Sequence, residues 1–286
     1  MPTQHIQTIA ITGAGTMGAG IALVCAQANR QVILFDLQDS VLDKAKINNQ
    51  KILQKQVDAG KLAVEQMHSI LDQIVYTTDV NQVKAELIIE AIVEKLPIKQ
   101  GLFKQLMEIN GADCIYATNT SSIPITQIAA GLAFPEQVIG IHFFNPAHIM
   151  KLVEVIKGAK TNSTIVERVL AFVQSIGKTG VVAADAPGFI VNRIARLYYV
   201  ESLKLLEEGV ADLETIDRIM ESSGFKMGPF KLMDLIGVDT NYSVTESQYQ
   251  LFNFEPRFRP SRIQKQKVDA GLHGRKTKAG FYNYDQ

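Results

Sequence analysis

From Ile6 to Asp36 the chain reads IQTIAITGAGTMGAGIALVCAQANRQVILFD, and the order of features in it decides the fold. Ile9-Ala10-Ile11 is an apolar run short enough for a buried strand. Gly13, Gly15 and Gly18 follow with the spacing G-x-G-x-x-G, with Thr16 and Met17 inside it. Ile21 to Ala28 reads as a helix, and Val32-Ile33-Leu34-Phe35 as a second strand ending at Asp36. The first glycine permits a tight turn, the second lets backbone approach a pyrophosphate, and the third lets helix and strand pack closely. Free N–H groups and the dipole at the helix start make that turn an anion site. Asp36 falls where a carboxylate accepts hydrogen bonds from an adenosine ribose. A glycine triplet alone can be a loop that binds nothing, but strand, glycines, helix, strand and acid in order make a dinucleotide site. Asp36 would repel a 2′-phosphate, and Arg30 precedes the second strand instead of following the acid, so NAD is expected over NADP. FAD shares the fingerprint and stays open on this segment alone.

The 286 residues suffice for one large or two ordinary domains, and 47% hydrophobic content builds a core without disulfide or metal. Lys+Arg and Asp+Glu both number 29, which gives no global reason to expect nucleic acid or an anionic membrane as partner. Cys25 and Cys114 lie in apolar segments without ligand spacing, which argues against a zinc site and fits a reducing compartment. The start of the chain lacks the basic and continuous apolar regions of a signal peptide, and no apolar run reaches the ~20 residues of a membrane span. A soluble, cytoplasmic protein is expected.

After Asp36, Ser40 to Gln73 is polar, with apolar residues at helical intervals and Lys44, Lys46, Lys51, Lys55 and Lys61 along it. It reads as a helical hairpin, either solvated and idle or an arm whose lysines meet a polyphosphate. Strand–helix alternation resumes with strands at 74–76, 86–91, 114–117, 138–143, 152–156 and 181–184, and helices from Pro97 to Asn110 and Ile125 to Ala130. Near-continuous apolar strands between helices indicate an α/β fold, a Rossmann-like, mostly parallel sheet with helices on both faces. Beyond Asp185-Ala186-Pro187-Gly188 only helices appear: 190–208, 213–222, 229 to about 250, and 261–270. The expected organisation is a dinucleotide-binding domain over 1–184, with the arm at about 40–73, and an all-α domain over 185–286. The basic stretch Arg257 to Lys278 has neither aromatic interleaving nor a nucleic-acid module and reads as a charged surface.

Ligands of open α/β sheets sit beyond the carboxyl ends of the strands, which directs attention to Glu90, Glu94, Ser121, His142, Asn145 and Glu154. A lone histidine in an apolar strand is more often a satisfied core residue. Glu154, inside Leu152-Val153-Glu154-Val155-Ile156, changes that balance, because a carboxylate in such a run needs a partner. An imidazole with one nitrogen fixed by a carboxylate has the other free as a general base, which alcohol dehydrogenation requires. Ser121 alone reads as a helix cap, with no nucleophile elbow around it. Asn192 alone reads as a surface amide.

Four further segments stand in order along the chain: Asn119-Thr120-Ser121-Ser122, Gly140-Ile141-His142-Phe143-Phe144-Asn145-Pro146, Met150-Lys151-Leu152-Val153-Glu154-Val155 and Asp185-Ala186-Pro187-Gly188-Phe189-Ile190-Val191-Asn192-Arg193. With Met227-Gly228-Pro229-Phe230, Gly274-Arg275-Lys276-Thr277 and Gly280-Phe281-Tyr282, the chain resembles the L-3-hydroxyacyl-CoA dehydrogenases along nearly its whole length, especially bacterial 3-hydroxybutyryl-CoA dehydrogenases. The resemblance implies His142 as catalytic base, Glu154 as its orienting partner, and Ser121 and Asn192 holding the substrate's 3-oxygen and thioester region. It implies that Glu94, Lys99, Ser121, Asn145 and Lys276 lie near NAD, beside Gly13, Gly15, Thr16, Met17, Gly18 and Asp36. The arm becomes a CoA-contacting hairpin with Lys55 and Lys61, and the helical domain a homodimer interface, the acyl-CoA lying between domains. His148 departs from the family pattern, which expects a small residue or proline there, and puts chain-length preference in question. A 3-hydroxyadipyl-CoA dehydrogenase of aromatic degradation, instead of a short-chain enzyme of fatty acid metabolism, and a non-catalytic NADH-binding lens crystallin of the same family are the alternatives. A dehydrogenase of free 3-hydroxy acids would rely on a lysine, and a short-chain dehydrogenase would need Tyr-x-x-x-Lys, which is absent.

Overall fold

The computed structural model describes residues 6–284. It divides into two compact units, one ending at Ala186 and the next beginning at Pro187, inside the Asp-Ala-Pro-Gly turn.

The first unit runs β1 (Thr8–Thr12), α1 (Thr16–Gln27), β2 (Gln31–Phe35), α2 (Asp39–Asp58), α3 (Val64–Asp72), β3 (Ile74–Thr77), β4 (Leu87–Glu90), α4 (Leu96–Asn110) and β5 (Ile115–Thr118). It continues with α5 (Ile125–Ala129), β6 (Val138–Phe143), β7 (Leu152–Lys157), α6 (Ser163–Ser175) and β8 (Thr179–Ala184). The sheet order is β3-β2-β1-β4-β5-β6-β7-β8. The first six strands are parallel, in the 3-2-1-4-5-6 order of a doubly wound dinucleotide fold, whose order reverses between β1 and β4. Every residue of β4, β5 and β6 is buried, as expected for strands covered on both faces.

β7 is antiparallel to β6. The cause is chain length: only residues 144–151 connect them, and a parallel crossover takes a dozen residues or more. α6 then supplies the crossover that makes β8 parallel to β7. That helix is not among those expected from the sequence, although Asn162 caps it through Thr164 N–H and Ile165, Val169, Phe172 and Val173 form its buried stripe. The α2–α3 hairpin packs at its base on α1, where Leu53 and Met67 bury with Leu23 and Asn49 Nδ2 donates to Ala19 O at 3.1 Å.

The second unit comprises α7 (Val191–Glu207), α8 (Leu213–Ser222), α9 (Pro229–Ile236), α10 (Val238–Leu251) and α11 (Arg262–Asp269) around Tyr199, Leu203, Phe230, Met233 and Phe281. The single helix expected from Pro229 to about Gln250 is two helices, because Gly237 turns the chain with φ +104. Asp234, 1% exposed, accepts from Phe281 N, Tyr282 N and Tyr284 Oη, which fastens the C-terminal segment to α9.

Candidate active site

The loop after β1 is built by its glycines. Gly13 has φ +96, donates to Phe35 O at 2.8 Å, and would bring a Cβ to 2.7 Å from Ala91 O. A Cβ on Gly18 would lie 1.7 Å from Gly13 O, so loop and helix meet there with no room for a side chain. A Cβ on Gly15 meets nothing within 4 Å, which fits a loop whose backbone faces a ligand. α1 begins at Thr16, five residues before the expected start, so Thr16 and Met17 form its first turn with the N–H groups that favour an anion. Asp36 Oδ2 accepts from Ala14 N at 2.8 Å and Oδ1 from Gln38 N at 3.1 Å. The acid therefore braces the glycine loop from β2, a role the spacing did not reveal. A cleft of about 730 Å³, mostly apolar, opens beside it between Gly13, Gly15, Asp36, Leu37, Ala91 and Val93. These features fit a dinucleotide. The residue after Asp36 is an exposed Leu37, and Arg30 is engaged with Gln7 Oε1 and Ser175 Oγ, so neither answers a 2′-phosphate.

At the ends of β4 and β5 a buried ion pair sets the next wall. Lys99 Nζ, 1% exposed, lies 2.6 Å from Glu90 Oε1 and 3.0 Å from Glu94 Oε2. Thr118 Oγ1 and Ile92 N also donate to Glu90. Glu94 Oε1 accepts from Thr120 Oγ1 at 2.5 Å, Ser121 N at 3.1 Å and Ser122 Oγ at 3.0 Å. Burial pushes the Glu94 carboxyl up, but Lys99 and the Thr120 and Ser122 hydroxyls outweigh it, and the net shift is downward. Lys99, expected near the dinucleotide, is buried between two carboxylates and positions Glu94, which is expected near it too. The helix-cap reading of Ser121 is corrected. α5 is capped by Asp185, which accepts from Ile125 N and Thr126 N, while the Thr120-Ser121-Ser122 turn wraps Glu94.

His142 and Glu154 are directly opposed residues of the antiparallel β6–β7 pair. Opposed residues of such a pair point to one face with Cβ atoms about 5 Å apart, and His142 Nδ1 lies 2.7 Å from Glu154 Oε2. Their side chains are 8% and 1% exposed. Phe144 packs a ring 4.6 Å from the imidazole, and Asn119 Oδ1 holds Phe143 N at 2.8 Å. The connection that makes the strands antiparallel is clamped by Lys178, whose Nζ donates to Ala147 O at 2.6 Å and Met150 O at 2.8 Å. Sequence reasoning missed Lys178; a lysine before an edge strand carries no local sign of burial.

Asn145 is exposed just past β6, and Lys55 and Lys61 are exposed at the far end of the hairpin. His148 lines a cleft of about 360 Å³ with Val24, Gln27, Ser175 and Lys178, where burial and Lys178 lower its pKa. Asn192 and Lys276 belong to the second unit. Asn192 is in the first turn of α7, and Lys276 Nζ pairs with Asp239 at 2.6 Å. Burial raises the Cys25 and Cys114 thiols to about 12, which makes poor nucleophiles of both. Among the described residues no group of three His, Cys, Asp or Glu is placed to hold a metal.

A dinucleotide fold with a carboxylate-backed imidazole at the strand ends has the parts that a nicotinamide-dependent oxidoreductase needs. The chain belongs to the 3-hydroxyacyl-CoA dehydrogenase family: residues 8–186 match its NAD binding domain and residues 188–284 its C-terminal domain. A 3-hydroxyadipyl-CoA dehydrogenase of Escherichia coli K12 is 44% identical over 282 residues, 98% of this chain and 59% of that one. This chain thus spans 59% of the length of that relative. A protein of Deinococcus radiodurans named "Probable 3-hydroxybutyryl-CoA dehydrogenase" is 41% identical over 96% of this chain and 99% of its own. The crystal structure of (S)-3-hydroxybutyryl-CoA dehydrogenase from Ralstonia eutropha superposes with TM-score 0.95 at 37% identity, covering 98% of this chain and 100% of that one.

Proposed function

We propose that the chain interconverts L-3-hydroxyacyl-CoA and 3-oxoacyl-CoA, on short acyl chains, with His142 as the general base and acid. The 2.7 Å contact between His142 Nδ1 and Glu154 Oε2 carries the reading. With Nδ1–H held by the carboxylate, Nε2 is the nitrogen that takes the 3-hydroxyl proton during oxidation and returns it during reduction. Glu154 stabilises the imidazolium formed in between. NAD, when bound, supplies the nicotinamide that accepts or returns the hydride. Gly13, Gly15, Thr16, Met17, Gly18 and Asp36 hold its pyrophosphate and adenosine side; Glu94, Lys99, Ser121, Asn145 and Lys276 serve its remaining contacts. Ser121 and Asn192 steady the 3-oxygen and the thioester region, and Lys55 and Lys61 meet the CoA phosphates.

The test is NADH consumption with acetoacetyl-CoA, beside free acetoacetate and beside NADPH. Turnover is expected with NADH and the CoA ester. Like-charge repulsion at Asp36 is expected to make NADPH at least ~10²-fold poorer, since juxtaposed like charges cost several kcal/mol. Equal rates with both cofactors would refute the Asp36 assignment, and equal rates with free acetoacetate the lysine assignment. NADH binding without turnover of any acyl-CoA would establish the non-catalytic alternative.

A homodimer through the helical unit is part of the same proposal. Ile190, Ile194 and Leu197 fall at i, i+4 and i+7 and are 37%, 68% and 43% exposed, an apolar stripe opposite the core face of α7. Light scattering should give twice the chain mass and Ile194→Glu should give monomer; a monomeric wild type would refute it. No helix of the described residues is long and apolar enough to cross a membrane. The proposed compartment is the cytoplasm, where buried thiols such as Cys25 and Cys114 stay reduced; recovery from a secreted fraction would refute it.

A further inference from the structure

Beyond β4 two carboxylates share one cation. Glu90 ends the strand, 0% exposed, and accepts from Lys99 Nζ at 2.6 Å, Ile92 N at 2.8 Å and Thr118 Oγ1 at 2.7 Å. Glu94 lies 3.0 Å from the same Nζ. Among the described residues no other cation is within ion-pair distance of either acid. The positive dipole end of α4, which begins at Leu96, is worth about half a charge and does not close the balance.

The hydrogen bonds of Glu90 do not by themselves require an acid. A glutamine there could accept from Lys99 and Ile92 through Oε1 and donate to Thr118 Oγ1 through Nε2. What only the carboxylate adds is charge, in a buried place where charge is costly. That place is the point where the strand order reverses: Glu90 is in register with Thr12 of β1 on one side and Thr118 of β5 on the other. A dinucleotide lies across this reversal, one half on each side. The glycine loop and Asp36 take the adenosine half over β1 and β2, which leaves the nicotinamide half to the β4–β5 side. The segment after Glu90 touches the glycine loop directly, since a Cβ on Gly13 would sit 2.7 Å from Ala91 O. Glu94, with its side chain 38% exposed, brings the charge of the cluster to the surface there.

The nicotinamide ring is positively charged in oxidised NAD and neutral in NADH. We propose that the excess of Glu90 and Glu94 over Lys99 discriminates between the two redox forms, tightening oxidised NAD relative to NADH. The proposal rests on the NAD-dependent reading and names what biases that site. Glu154 is also acidic, but it stands on β7, two strands beyond β5, and a change at Glu90 leaves it in place.

The experiment titrates oxidised NAD, NADH and benzamide adenine dinucleotide into the wild type and Glu90→Gln, read by calorimetry. The benzamide ring has the shape of oxidised nicotinamide without its charge. The wild type should bind oxidised NAD about 3- to 30-fold more tightly than the benzamide analogue, the effect of one partly screened charge at close range. Glu90→Gln should weaken oxidised NAD by a factor in that range and leave NADH and the analogue nearly unchanged. Equal weakening of NAD and NADH would mean that Glu90 only shapes the loop, and overturns the proposal; so does an unchanged ratio. Equal affinity of the wild type for oxidised NAD and the analogue overturns it whether or not the variant folds. Failure of all three to bind the wild type would strike down the dinucleotide reading itself, and the proposal with it.

Discussion

His142→Ala lowers kcat for acetoacetyl-CoA reduction by about 10²–10⁴-fold, the contribution of a positioned general acid–base, while NADH still binds. The two effects separate because the elements are separate. The dinucleotide loop lies between β1 and α1 and is braced from β2 by Asp36, whereas His142 is on β6, three strands away from β1 in the sheet. NADH fluorescence titration should therefore give a dissociation constant within a few-fold of wild type. Alanine also takes a buried partner from Glu154, so thermal unfolding is recorded beside the kinetics. A folded variant with near-wild-type turnover would remove His142 from the chemistry. The variant cannot change the reaction's equilibrium constant, so with the affinities for NAD and NADH unchanged kcat/KM must fall by the same factor for oxidation and for reduction at one pH. Unequal losses would mean that the variant alters the affinities for NAD and NADH by different factors.

Much of this site was legible as one-dimensional pattern. The glycine loop is spelled out because each glycine answers a local constraint: a positive φ at Gly13, and a Cβ-free approach to Gly13 O at Gly18. His142 and Glu154 stand out because each interrupts a fully apolar strand. That they face each other was less visible, because it depends on strand direction. The short 144–151 connection was the clue, and the register His142↔Glu154 follows once β7 must return antiparallel. What stayed hidden are side chains whose partners are distant along the chain. Asp185 caps a helix some 60 residues earlier, which makes a cap-like serine run at 120–122 into something else. Lys99 looks like any helix-surface lysine until Glu90 and Glu94 are found on either side of it. Arg196 is similar: composition shows a cation on a helix, and only packing shows that α10 meets it with neutral groups.

Glu154→Gln should nearly match the histidine variant in kcat/KM, although it keeps the shape of the pair. The carboxylate only accepts hydrogen bonds, so it fixes the proton on Nδ1 and presents Nε2 as the base. An amide can offer its NH₂ to Nδ1 instead, which favours the tautomer with the proton on Nε2, where it blocks the base. In a serine protease the equivalent acid-to-amide change costs about 10⁴ in kcat with the geometry intact. Here the loss should be about 10²–10⁴-fold, because tautomer and imidazolium stabilisation are lost together while the β6–β7 register holds both side chains in place. The decisive comparison is the double variant. Residues that act as one unit are strongly non-additive, so Glu154→Gln should change turnover little once His142 is already Ala. Full additivity, with the double variant losing the product of both factors, would show that Glu154 acts on catalysis by a route other than the imidazole. Thermal stability separates that case from unfolding: the transition should be cooperative in both single variants, with NADH still raising it.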